Sequence, residues 1–143
     1  MNWLFKTEPD TYSFETLIKD KKTAWNGVRN FQARNFLKEC AANDFALIYH
    51  SGKDKAVVGV AKITKEAYPD HDPKKPGEWV QLDLKYALKL KTPIALATLK
   101  ANPKLKNLLL IKQSQLSCMP IGEKEFKTIL ELGDSWADFQ KLK

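Results

Sequence analysis

The feature that most constrains this chain is a helix with a marked beginning. Ala33, Phe36, Leu37 and Cys40 recur at i, i+3, i+4 and i+7, a spacing that draws one narrow apolar stripe down a helix and turns it toward a core. Asn30 stands where an N-cap stands, and its side-chain oxygen can accept from the orphan amides of a first turn. Just before it comes Trp25-Asn26-Gly27-Val28-Arg29, which reads as a loop joining a large aromatic, a permissive glycine and a planar cation. Free amides and a guanidinium suit an anion or a polar heterocycle, and Trp25 adds a flat face beside them.

The rest of the chain supplies the core. Asn2 to Lys6 alternates as a strand does, with Trp3 and Phe5 on one face. Thr7-Glu8-Pro9-Asp10 stops it, because proline has no N–H for a ladder and holds Glu8 extended. Ser13 reads as the N-cap of a short helix with Phe14, Leu17 and Ile18 inward, ending in the polar run from Lys19 to Lys22. A turn at Asn43-Asp44 leads to a strand from Phe45 to Ser51, with Tyr49 and Ser51 on one face and His50 on the other. Ser51 to Lys55 is a turn, and Ala56 to Ile63 a return strand in which Gly59 marks a bulge or a close backbone approach. A loop is expected from Tyr68 to Glu78, then a strand from Trp79 to Leu90 and a short helical piece opened by Thr92-Pro93. Leu105 to Lys112 is open between helix and strand. Leu116 to Ile121, with Pro120, reads as an edge or broken strand. Gly122 to Leu132 is helical with Phe126, Ile129 and Leu130 inward and Gly133 as its stop. Trp136 and Phe139 can dock a last turn. That order predicts an α+β fold: a small mixed sheet curling toward a barrel, flanked by helices.

Length and charge narrow the class. The chain has 143 residues, within the range of one domain with one sizeable core, so residues 1–143 are expected to form a single domain. Hydrophobic residues make up 43% and charged residues 29%, as in an ordinary globular protein. No apolar run is long enough to span a bilayer and the first residues do not resemble a signal peptide, so an intracellular place is expected, cytoplasmic or else with DNA in a nucleus or nucleoid. Net charge is +7, which favours a polyanion; a lysine-rich solvated surface accounts for the same number. Cys40, Cys118, His50 and His71 show no metal-ligand spacing, so neither a metal nor a cofactor is expected, and both cysteines read as buried thiols.

Several side chains have two readings. Trp25, Trp3 and Trp79 can line a slot for a flat ring or can simply be core. Ser51 can read a base edge with a hydroxyl that donates and accepts, or close a turn. Lys6, Thr7 and Glu8 can bond a ligand or form a salt-bridged strand end. Arg29 and Arg34 can clamp phosphates, since guanidinium forks match them, and Arg34 can instead pair with a carboxylate.

The run Trp25-Asn26-Gly27-Val28-Arg29-Asn30-Phe31-Gln32-Ala33-Arg34-Asn35-Phe36-Leu37 resembles the signature of the EVE domain, a PUA-like family related to the YTH readers of methylated RNA. Trp3 to Pro9, Tyr49-His50-Ser51, Ala67-Tyr68-Pro69-Asp70 and Leu116-Ser117 match in order, so the resemblance covers residues 2 to about 132. In the last of these, Cys118 and Ile121 replace two valines of the family pattern. The resemblance implies a PUA-like barrel with helices around it and a pocket formed by the loop of Trp25, Asn26, Val28, Arg29 and Asn30. It places Tyr49, Ser51 and, in part, Trp79 near that pocket, with Trp3 structural; the Ser117 hydroxyl can reach the pocket or belong to a plain barrel strand. It implies a non-catalytic module that binds a modified base in DNA or RNA, and the expectation is a monomer. The alternative is a small nucleotide-processing hydrolase using His50 or a carboxylate pair, although no nucleophile elbow or glycine-rich phosphate loop accompanies them. A third reading is an RNA-binding accessory domain without base selectivity.

Overall fold

The computed structural model describes residues 1–142. Strands β1 (Asn2–Thr7) and β3 (Phe45–His50) lie side by side and parallel. The chain between them must therefore cross over, as parallel neighbours require. It does so through helix α1 (Phe14–Asp20), strand β2 (Lys22–Trp25) and helix α2 (Phe31–Glu39). The remaining strands are antiparallel to their neighbours: β4 (Ala56–Pro69), β5 (Val80–Ala95) and β6 (Cys118–Ile121). The sheet is six-stranded in the order β2-β5-β4-β3-β1-β6. Short helices α3 (Leu96–Ala101), α4 (Leu109–Lys112), α5 (Glu123–Leu132) and α6 (Trp136–Gln140) complete the α+β architecture.

Helix α2 explains the curl. Asn30 caps it, accepting from the amide of Ala33 at 2.9 Å, and Ala33, Leu37 and Cys40 are buried while Phe36 packs against the core. The helix touches β4, β5 and β6, and β5 and β6 stand toward opposite ends of the sheet order. A flat sheet cannot reach one helix from both ends, so the strands wrap around it. The wrap stays open: β2 and β6 are edge strands, and the expected barrel is a curled, unclosed sheet.

Helix α1 is fixed from two sides. Its Ser13 cap accepts from Thr16 at 3.1 Å, and the amide of Phe14 donates to His50 Nε2 at 2.9 Å. The Phe14 ring lies against the backbone of Gly59, where a methyl group would fall inside the ring. Pairing of β4 with β3 and β5 also shifts beside Gly59. Both readings of that glycine are met, and burying Phe14 contributes about 1.5–3 kcal/mol.

Several boundaries differ from the sequence reading, and an open one is decided. Lys22–Trp25 is strand rather than helix tail and loop, held by pairing with Lys85–Leu82 of β5. Lys21 makes this possible by ending α1 at φ 68°. Strand β4 runs on to Pro69, so the loop before β5 is shorter than the expected Tyr68 to Glu78. Strand β5 starts at Val80, continues through Pro93 to Ala95, and only then becomes helix. Proline is tolerated there because pairing skips from Lys89 to Ile94, leaving Pro93 in a bulge that asks for no N–H. Leu105 to Lys112 resolves into the end of a 3-10 turn, Pro103–Leu105, and α4. Gly133 ends α5 with φ −84°, and Asp134 takes the left-handed position at φ 53°. Pro120 lies in edge strand β6, as its missing donor requires.

Candidate nucleic-acid interface

The loop from β2 to α2 is pinned rather than free. Trp25 pairs with Leu82 at the end of β2, Gly27 turns the chain at φ 81°, and Val28 is buried. Asp70, beyond the end of β4, holds the loop from outside. Its Oδ2 accepts from the Gly27 amide at 2.9 Å and from Arg29 Nη1 at 3.0 Å. Arg29 also donates from Nε to Asp72 Oδ2 at 3.3 Å and from Nη1 to the Val28 carbonyl at 3.0 Å. For Asp70, burial works toward a higher pKa, but the bonds from Arg29 and Gly27 outweigh it and hold the carboxyl below the usual range. Asp72 is lowered chiefly by the Lys74 amide, helped by Arg29. The bond to Asp70 in turn raises Arg29.

Beside this loop opens a cavity of about 490 Å³, the size of a small-molecule site. Trp25 is 8% exposed and lines the cavity. Behind it lies Phe5, with centroids 5.8 Å apart, and Tyr12 meets it edge-on at 6.2 Å. Asn26, Val28 and Arg29 continue the lining, while Lys6, Thr7 and Glu8 enter from β1 and its exit, and Ser117 comes from the segment before β6. Burial lowers the pKa of Lys6; its ammonium donates to the Ser114 carbonyl and lies 5.9 Å from the Tyr49 ring centre. Thr7 donates its hydroxyl to the Tyr12 carbonyl at 2.7 Å. Gly52, at φ 73°, lets the Glu8 carboxylate lie against its backbone where any Cβ would collide.

The other expected site residues lie elsewhere. Asn30 is exposed and serves as the cap. Tyr49 is buried in the core beneath Lys6. Ser51 donates its hydroxyl to the Thr7 carbonyl at 3.3 Å, one residue behind the cavity wall. Trp3 is 1% exposed, and its indole N–H donates to Asp44 at 3.0 Å. Trp79 borders a second hollow of about 510 Å³. There it donates to the Lys75 carbonyl at 2.8 Å and stacks on Phe31 with centroids 5.1 Å apart. Arg34 lies over both rings of that stack.

Thr11, Tyr12, Thr23, Ala24 and Gly27 also line the first cavity and were not among the expected residues. A sequence signal existed for one of them: once Lys22–Trp25 is a strand, period-two alternation puts Thr23 on the face of Trp25. Tyr12 carries no such signal, since it arrives through the turn after Pro9. Among the described residues no group of three or more His, Cys, Asp and Glu side chains is placed to hold a metal.

A curled, open sheet wrapped on one helix, with a cavity at the strand-to-helix loop, is a PUA-like architecture. The chain belongs to the EVE domain family, whose profile matches residues 1–132. Human thymocyte nuclear protein 1 is 35% identical over 164 residues, covering 92% of this chain and 73% of that protein. Its crystal structure in complex with 5-methylcytosine-containing DNA superposes with a TM-score of 0.86 at 33% identity, over 94% of this chain and 98% of that one. Protein Atu2648 of Agrobacterium tumefaciens matches at a TM-score of 0.88 and 31% identity, over 94% of each chain. The YTH domain of the MRB1 protein of Zygosaccharomyces rouxii, solved with N6-methyladenosine RNA, shares the fold at a TM-score of 0.54 and 14% identity, over 92% of this chain and 86% of that one.

Proposed function

We propose that this domain binds nucleic acid and accepts one modified nucleobase in the cavity beside Trp25, without catalysing a reaction on it. The observation that carries this reading is the cavity itself: Trp25, although part of the apolar core, borders an open volume of about 490 Å³ that Arg29 also lines. Stacking a base on an aromatic ring contributes about 1–3 kcal/mol. Glu8 offers an acceptor for an exocyclic amine, as carboxylates do for the amino group of cytosine, and Asn26 and Ser117 offer both donors and acceptors. The human relative solved with 5-methylcytosine-containing DNA makes that base the first to try. The reading needs one copy of the chain, no metal and no cofactor. It places the protein with DNA or RNA, in cytoplasm, nucleoid or nucleus; among the described residues no helix is long and apolar enough to cross a membrane.

The hydrolase alternative has less support. His50 is 6% exposed, and its Nε2 accepts from the Phe14 amide. The ring proton is therefore on Nδ1, which donates to Asp54 Oδ2 at 3.2 Å. With Nε2 engaged by the first amide of α1 and Nδ1 by Asp54, this imidazole has no free lone pair for a substrate.

The test is a titration at fixed salt of single- and double-stranded oligonucleotides carrying 5-methylcytosine, 5-hydroxymethylcytosine, N6-methyladenine or no modification, followed by tryptophan fluorescence. One modified base should bind roughly 10- to 200-fold tighter than its plain counterpart, and Trp25→Phe should shrink that ratio. Equal affinity for every oligonucleotide, unmoved by Trp25→Phe, removes the reading. Nucleotide turnover abolished by His50→Gln replaces it with the hydrolase.

A further inference from the structure

Phe31 is the anomaly on the surface. It is the first residue of α2, directly after the loop that rims the Trp25 cavity, and it is 60% exposed. A phenylalanine so open to water leaves ring area available for a partner. It is not loose, because its ring stacks on Trp79 with planes inclined by 23°. Cations surround the pair. The Arg34 guanidinium is 5.0 Å from the Phe31 ring centre and 5.9 Å from that of Trp79, and Lys75 Nζ is 5.9 Å from Trp79. Lys38, one helical turn beyond Arg34, borders the adjoining hollow.

The carboxylates nearby do not cancel this charge equally. Asp70 and Asp72 are engaged by Arg29, and Glu78 borders the hollow beside Lys38. Arg34 bonds only the neutral side chain of Asn35, and among the described residues it has no carboxylate partner. An exposed flat ring flanked by cations that no carboxylate pairs among the described residues matches a base and its phosphate together: the ring takes the π-face and the cations take the anion. An acidic peptide would use the cations and leave the ring idle.

We propose that the Phe31–Trp79 stack is a second subsite for nucleic acid, on which the base next to the one in the Trp25 cavity stacks while Arg34, Lys38 and Lys75 hold its phosphate. This rests on the cavity reading for its neighbour but on different residues for its own contacts. Arg29, which touches both places, fixes their spacing.

The experiment uses single-stranded oligonucleotides with 2-aminopurine beside either 5-methylcytosine or plain cytosine, bound to the wild type, Phe31→Ala and Phe31→Tyr. Stacking quenches 2-aminopurine, so the wild type should quench it and Phe31→Tyr should keep the quenching. Phe31→Ala should lose it and bind both oligonucleotides about 5- to 150-fold more weakly, the factor for one stacked base. The ratio of methylated to plain affinity should stay constant. Wild-type affinity and quenching in Phe31→Ala overturn this subsite while leaving the cavity reading intact. Loss of quenching in Phe31→Ala with no methyl preference in the wild type does the reverse. A glutamate-rich peptide that displaces the oligonucleotide as well as unlabelled DNA does also overturns it, in favour of an acidic protein partner.

Discussion

Trp25 and Trp79 are both nearly buried, yet they belong to different kinds of structure. Trp25 is part of the continuous apolar core, backed by Phe5. Trp79 stands outside that core, between an exposed Phe31 and cations on long side chains. The first arrangement makes a recess whose shape is set by the fold, which suits selection of one ring. The second makes an open platform whose cohesion is local, which suits holding a chain of any sequence. On the proposed reading, selectivity and grip are divided between these two regions, with Arg29 touching both.

If that division is right, the two tryptophans should fail differently. Trp25→Ala removes a ring from the core and should cost about 3–5 kcal/mol of global stability, read as a lowered midpoint in urea. Trp79→Ala should cost less in the same melt and instead speed amide exchange in residues 70–78. Equal loss from both variants would mean that the two regions form one core.

Asp70 is the tie between the regions, because it holds Gly27 and Arg29 together. Asp70→Asn keeps the shape and removes the charge, and should cost about 1.5–3 kcal/mol, the scale of hydrogen bonds to a charged group. Acid should act similarly. Asp70 and Asp72 have folded pKa values below their ordinary ones, so their contribution is full above the unfolded value of about 3.9 and is lost as pH falls through the folded values. Asp44, lowered by the Trp3 indole, the Ala41 amide and the N-terminus against the opposing effect of burial, adds a loss of the same sign elsewhere. Indole N–H signals in an NMR acid titration separate them: Trp79 should shift in Asp70→Asn already at neutral pH, whereas Trp3 should shift only in acid.

The same division decides what the sequence could reveal. Helix α2, its Asn30 cap and the close approach at Gly59 are local facts, and spacing alone shows them. Strand β2 is four residues long with one buried, too short for its alternation to stand out in the sequence, and pairing with β5 defines it. The loop of Trp25, Asn26, Val28 and Arg29 was readable as a unit, and the exit of Lys6, Thr7 and Glu8 as another. Their meeting at one cavity was not, since parallel pairing of β1 with β3 and the crossover through β2 bring them together. Trp79 was expected beside Trp25 and lies on Phe31 instead, because the β4–β5 connection is pulled toward Arg29 by two aspartates.

Charge on the platform should be felt through salt. Arg34→Ala removes a cation with no carboxylate partner among the described residues, so binding should weaken about equally for modified and plain oligonucleotides. The slope of log affinity against log salt should fall by about 1 if Arg34 meets one phosphate. A changed preference between bases with an unchanged slope would move Arg34 from grip to selection.

Ser51 marks how far the recess extends. Its hydroxyl bonds the Thr7 carbonyl at 3.3 Å, and the same carbonyl already receives the Ser51 amide at 2.9 Å. Ser51→Ala therefore leaves that acceptor satisfied and uncovers no orphaned group, so stability should change by about 0.5 kcal/mol or less. Since the hydroxyl faces the strand rather than the open volume, affinity for every oligonucleotide should stay within about twofold. A selective loss for the modified base in Ser51→Ala would show that the base reaches past Thr7 to the end of β3, and that the recess is deeper when occupied than when empty.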